Sequence, residues 1–129
     1  MTSPRQLLGM ALLGLILGLA STPAGADPRA LAGVEGIEAL VSAARFREAA
    51  ERAPALRKVV LAMTPSPRSR QLLVRTELAA GTASLALGQS SNAELCFLRA
   101  LRIDPTLALA GSTPPKVRRS VDALRGGDE

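Results

Sequence analysis

Residues 74–107 read VRTELAAGTASLALGQSSNAELCFLRALRIDPTL, and the spacing of small and large residues here decides the fold. Ala80, Gly81 and Ala83 leave one helix open to close approach. Ala93, Phe97 and Ala100 offer one large knob between two small residues on the next. Two such helices meet antiparallel at short separation, with Phe97 filling the gap. Gly88-Gln89-Ser90 is a connection of the length that joins antiparallel helices. The first helix is expected from Pro67, capped by Ser66, to about Leu87. It should stop at Gly88, where left-handed backbone costs little. The second should open on a capping box of Ser91 and Glu94 and end near Ile103, ahead of Asp104-Pro105.

Two more helices are expected upstream. Asp27-Pro28 pairs an N-cap residue with a proline at the first helical position. Gly33 and Gly36 should weaken the start of that helix, which firms up from Ile37 to about Ala44. Phe46, Ala49, Ala50, Ala53, Leu56 and Val60 then fall on one face of a helix from Phe46 to Ala62. Arg47 with Glu51 and Glu48 with Arg52 are spaced to pair on its solvent side. Pro54 should interrupt and bend it. Thr64-Pro65-Ser66-Pro67 breaks the chain. Beyond Leu107–Ser112, a loop, Thr113-Pro114 should cap a tail helix over residues 114–124, and residues 125–129 are expected to be a disordered tail. No segment has the alternation of a strand. The expected fold class is all-α, with antiparallel helix-turn-helix hairpins in one domain over residues 27–124.

Residues 1–26 have the form of a signal peptide. Arg5 is their only charge, LLGMALLGLILGLA (7–20) is the apolar run, and STPAGA ends with Ala24 and Ala26 in a small-x-small cleavage arrangement. The apolar run is shorter than the roughly 20 residues that span a bilayer. Cleavage after Ala26 implies export to the periplasm or beyond; uncleaved, the segment would tether the chain to the inner membrane. The remaining 103 residues carry 15 basic and 11 acidic side chains, a net charge of +4. Arg68, Arg70, Arg75, Arg118 and Arg119 raise binding to an acidic polymer or lipid surface as one option. The chain lacks Trp and Tyr and holds two Phe, so it has little to stack on bases, and no nucleic-acid partner is expected.

Catalytic chemistry is sparse. There is no His, and the single cysteine, Cys96, sits beside Phe97 in an apolar stretch, where a small buried side chain is expected. Neither a metal-ligand spacing nor a phosphate-cradling glycine loop is present. Lys116 and Ser120, four apart, read as a helix-surface coincidence, and Glu48 and Glu51, with their arginine neighbours, as a solvated salt-bridge face. The expectation is no enzyme, no metal and no cofactor.

Residues 74–107 resemble the tetratricopeptide repeat, a 34-residue helix pair. Gly81, Ala93, Phe97, Ala100 and Pro105 match five of eight signature positions, and ALRIDP (100–105) resembles the family's closing segment. Glu77, Ala80 and Ser84 depart from it, standing where large residues are usual. RFREA (45–49) resembles the turn and second helix of a diverged copy over about residues 30–63, and STPPKVRRSVDALR (112–125) resembles the capping helix that follows such repeats. The resemblance implies a non-enzymatic scaffold that binds a peptide or partner helix in a groove, here lined by Arg75, Leu78, Thr82 and Leu85. So few repeats also imply self-association or a partner that completes the array. The structural alternative is a membrane-tethered subunit of an envelope assembly.

Overall fold

A computed structural model describes residues 28–126 of the chain; the expected signal peptide with Ala24 and Ala26, the Asp27 cap and residues 127–129 lie outside them. Among the described residues all regular structure is helical: α1 (Pro28–Ser42), α2 (Phe46–Leu61), α3 (Pro67–Ala86), α4 (Ser90–Ile103) and α5 (Pro115–Gly126). α1 packs on α2 and α3, α2 on α3, α3 on α4, and α4 on α5.

The two tight turns are built alike. At the end of α1 the Arg45 N–H donates to the Leu40 carbonyl at 2.8 Å and the Ala44 N–H to the Val41 carbonyl at 3.0 Å. At the end of α3 the Gln89 N–H donates to Ser84 at 2.8 Å and the Gly88 N–H to Leu85 at 3.1 Å. Both are Schellman closures, with the left-handed residue at Ala44 (φ 61°) and Gly88 (φ 80°). Gly88 fills its position without strain, whereas Ala44 holds a conformation that disfavours a Cβ. The same turn thus recurs 44 residues later, from Ala44 to Gly88.

Packing overrides two of the local expectations. α1 is helical from Pro28, although Gly33 and Gly36 were expected to loosen its first half. Ala30, Val34 and Ile37 are buried against the neighbouring helices, and Gly33 lets Leu56 of α2 close in. A Cβ on Gly33 would lie 2.6 Å from Leu56 Cδ1. α2 likewise continues through Pro54 to Leu61. Pro54 is exposed, so its ring meets solvent and not a neighbouring helix.

At α3 the Ser66 cap and the Pro67 start are as expected, and the cap is reciprocal: Ser66 Oγ accepts from the Ser69 N–H at 3.0 Å, and Ser69 Oγ from the Ser66 N–H at 2.9 Å. The capping box expected at Ser91 and Glu94 does not form. α4 already starts at Ser90, and its N-cap Gln89 makes no side-chain capping bond, because the Schellman closure leads straight into the helix. Asn92 instead donates across the turn to Ser84 Oγ at 3.2 Å. On α2, Glu48 binds Arg52 at 3.0 Å, as its spacing implied, and also Arg45; Arg47 and Glu51 form no pair among the described residues. The tail helix runs beyond Leu124, and Arg125 and Gly126 are helical rather than part of a loose end.

The core has two ends, with Val74, Ala100 and Leu107 forming a smaller third cluster. Ala30, Val34, Ile37, Ala49, Ala53, Leu56 and Val60 of α1 and α2 pack on Leu72, Ala79, Ala80 and Ala83 of α3. At the other end, Leu85, Ala93 and Phe97 pack with Val117 and Val121 of α5. Phe97 is fully buried against Gly81, where an added Cβ would overlap three atoms of its ring.

Candidate functional site

Two features stand apart from plain packing: a buried ion pair in the body of the fold and a surface groove along α3. The pair centres on Glu77, whose side chain is 1% exposed. Arg57 of α2 grips its carboxylate with two parallel bonds, Nε to Oε2 at 2.6 Å and Nη2 to Oε1 at 2.9 Å. Arg99 of α4 stands 3.9 Å from Oε1. Position 77, one of the departures from the repeat pattern, therefore holds a carboxylate that ties α2 and α4 to α3. The bond to Glu77 holds the Arg57 guanidinium above the usual arginine range. Cys96 is buried close by, and burial first, then the negative charge of Glu77, push its thiol above the ordinary value of 9.0. That disfavours the thiolate and makes Cys96 a packing residue.

The groove lies between α3, the end of α1 and the α4–α5 loop. One section, about 780 Å3, is bounded by Arg70, Val74, Arg75 and Leu78 of α3 and by Leu107 and Leu109 of the loop. A second, about 580 Å3, is bounded by Glu38 and Val41 of α1, Leu78 and Thr82 of α3, Leu109 of the loop and Val117 of α5. The sections share Arg75, Leu78, Leu109 and Thr113, so they form one depression with an apolar floor. Arg75 crosses it to Glu38, with Nε to Oε2 at 3.0 Å and Nη2 to Oε1 at 2.6 Å. That bond raises the Arg75 guanidinium above its ordinary value and links α3 to α1.

Arg75, Leu78 and Thr82 all line the second section of this depression, and the Thr82 hydroxyl is turned back to the Leu78 carbonyl at 2.7 Å. Leu85 does not join them. It is buried with Ala93, Phe97, Val117 and Val121, because α5 folds over the end of α3 and covers it. Gly81, Ala93, Phe97 and Ala100 are interior packing residues, and Pro105 is exposed just after α4. The wall formed by Leu107 and Leu109 had no counterpart in the sequence reading, where this segment was only a loop. Its one signal is a pair of leucines spaced by two among the small and polar residues of a proline-flanked segment.

The loop is held from α5. Arg125 donates to the Leu107 carbonyl and Arg118 to the Ala110 carbonyl, the latter at 2.7 Å. Of the five arginines that could have formed an anionic-surface site, Arg75 and Arg118 are thus engaged within the fold. Among the described residues no group of three metal-ligating side chains occurs and no helix is long and apolar enough to cross a membrane. No protein-family model, no curated protein and no solved structure matches this chain.

Proposed function

We propose that the chain is an exported, non-enzymatic scaffold module, built of tetratricopeptide-like helix pairs with α5 as their cap, that holds a peptide or partner helix in the groove over Arg75, Leu78 and Thr82. The observation that carries this is the groove itself: an apolar floor on α3, continuous from α1 to the α4–α5 loop, with charged groups at its sides. Small grooves of this kind bind by burying apolar side chains and select through a few polar contacts at the edge. The recurrence of one turn geometry at Ala44 and Gly88 supports two diverged copies of one helix pair, over about 30–63 and 74–107.

The test is affinity capture from the native envelope after cross-linking, comparing the unaltered chain with Leu78→Glu and Thr82→Arg. Partners held in the groove are lost with both variants, while circular dichroism of each variant stays helical. Capture that is unchanged by either substitution moves binding to another face. Sequencing the N-terminus of the same material separates the two cellular forms: a start at Asp27 fits a released, exported module, and an intact N-terminus in the membrane fraction fits a tethered subunit.

A further inference from the structure

α4 has two unlike faces. Ala93, Cys96, Phe97 and Ala100 point into the body, while Leu95 and Leu98 are 51% and 39% exposed on the other side. Leu95, Leu98 and Arg102 follow at steps of three and four, which aligns them in a stripe along the helix. The stripe ends in a recess of about 290 Å3 formed by Leu98, Leu101, Pro105 and Leu124, with Arg102 and Arg125 at its rim. Glu94 stands exposed beside Leu95 at the other end. Neither Glu94 nor Arg102 has an ion-pair partner among the described residues.

We propose that this face joins two copies of the chain through antiparallel packing of α4 on α4, with the two-fold axis passing at Leu98. Glu94 and Arg102 lie four residues either side of that axis, so Glu94 of each copy faces the partner's Arg102. Leu98 meets the partner's Leu98 at the axis, with Leu95 flanking it on one side and Leu101, at the mouth of the recess, on the other. A two-fold contact makes every such match twice. The charges select the arrangement. Parallel packing sets like charges against each other at both ends, and moving the antiparallel axis by one turn separates both opposite-charge pairs. Arg99 does not disturb the contact, since it is drawn 3.9 Å from Glu77 of its own chain. None of Glu94, Leu95, Leu98 or Arg102 lines the groove on α3, so a pair of copies keeps two open grooves. Paired grooves would bind a two-site partner more tightly than either alone.

The test uses the full chain, expressed with its N-terminal segment and purified from the envelope, so that the natural form is the one weighed. Light scattering coupled to gel filtration should show the mass doubling as concentration rises through the micromolar range. Glu94→Arg alone and Arg102→Glu alone should each weaken pairing by at least about tenfold, because like charges then meet at both ends. An equimolar mixture of those two variants should pair again, since opposite charges then face each other at both ends. Leu98→Asp should abolish pairing in every combination. All three positions are exposed, so the variants should keep their helical spectra. A chain that stays monomeric, association that these variants leave unchanged, or a mixture that fails to recover would each overturn the proposal.

Discussion

Replacing Arg57 with Met isolates the contribution of the buried pair. Glu77 is 1% exposed and its two strong bonds both come from Arg57, whose own side chain is 22% exposed. Removing one member of a buried pair typically costs about 3–5 kcal/mol, since the other charge is left in a poor environment. The lower end applies here, because Arg99 remains 3.9 Å away and can approach the carboxylate. A loss of about 3 kcal/mol is a large share of the 5–15 kcal/mol that holds a domain of this size. It should lower the melting temperature by roughly 12–24 °C. The informative comparison is the double variant Arg57→Met with Glu77→Leu, which replaces both charges by apolar groups and should recover most of the loss. Urea unfolding followed by circular dichroism measures both. A single variant within about 1 kcal/mol of the parent, or a double variant as unstable as the single, would refute the claim that the burial of Glu77 makes Arg57 necessary.

Gly81→Ala should cost about 1–3 kcal/mol, because the new Cβ meets the enclosed Phe97 ring. Gly36→Ala, with nothing within 4 Å, should stabilise by roughly 1 kcal/mol, and Gly33→Ala should fall between them, since Leu56 Cδ1 is the end of a flexible side chain. The three are compared by their urea midpoints. Ala44→Gly should raise the unfolding free energy by about 0.5–1 kcal/mol by relieving the left-handed alanine, and Gly88→Ala should lower it by about as much. The Cys96 thiol is raised in the folded protein, so its contribution to stability is complete below the ordinary thiol value and is lost as the pH rises above it. Between pH 7 and 10 the native chain should therefore lose more stability than Cys96→Ala does, and thiol reagents should label the folded chain slowly.

The helix ends were largely legible because the signals are local. Ser66-Pro67 starts α3, and Gly88 stops it through the chemistry of two or three neighbouring residues. Phe97 against Gly81 was also legible, since a large residue between two alanines has few places to go. Glu77 was not. Its partner lies 20 residues away on another helix, and no local pattern distinguishes a carboxylate that will be buried from one on the surface. Leu85 was misplaced for a related reason: helix periodicity puts it in line with Leu78, but the path of the later chain decides which of the two is covered. Gly33 and Pro54 show tertiary packing and solvent exposure overruling weak local propensity.

The α4–α5 loop gives the groove an unusual division of labour. One wall belongs to helices whose register is fixed by buried side chains, and the facing wall is an irregular segment fastened by two arginine bonds to backbone carbonyls. Backbone carbonyls are present whatever the residue, so the fastening constrains the loop's path far more than its composition. The exposed positions of this loop, Thr106, Ala108 and Ala110, can therefore change with little effect on the helical frame, whereas Leu107, buried against Val74 and Ala100, cannot. Under the proposed function, selectivity is then set at positions on which the fold does not depend.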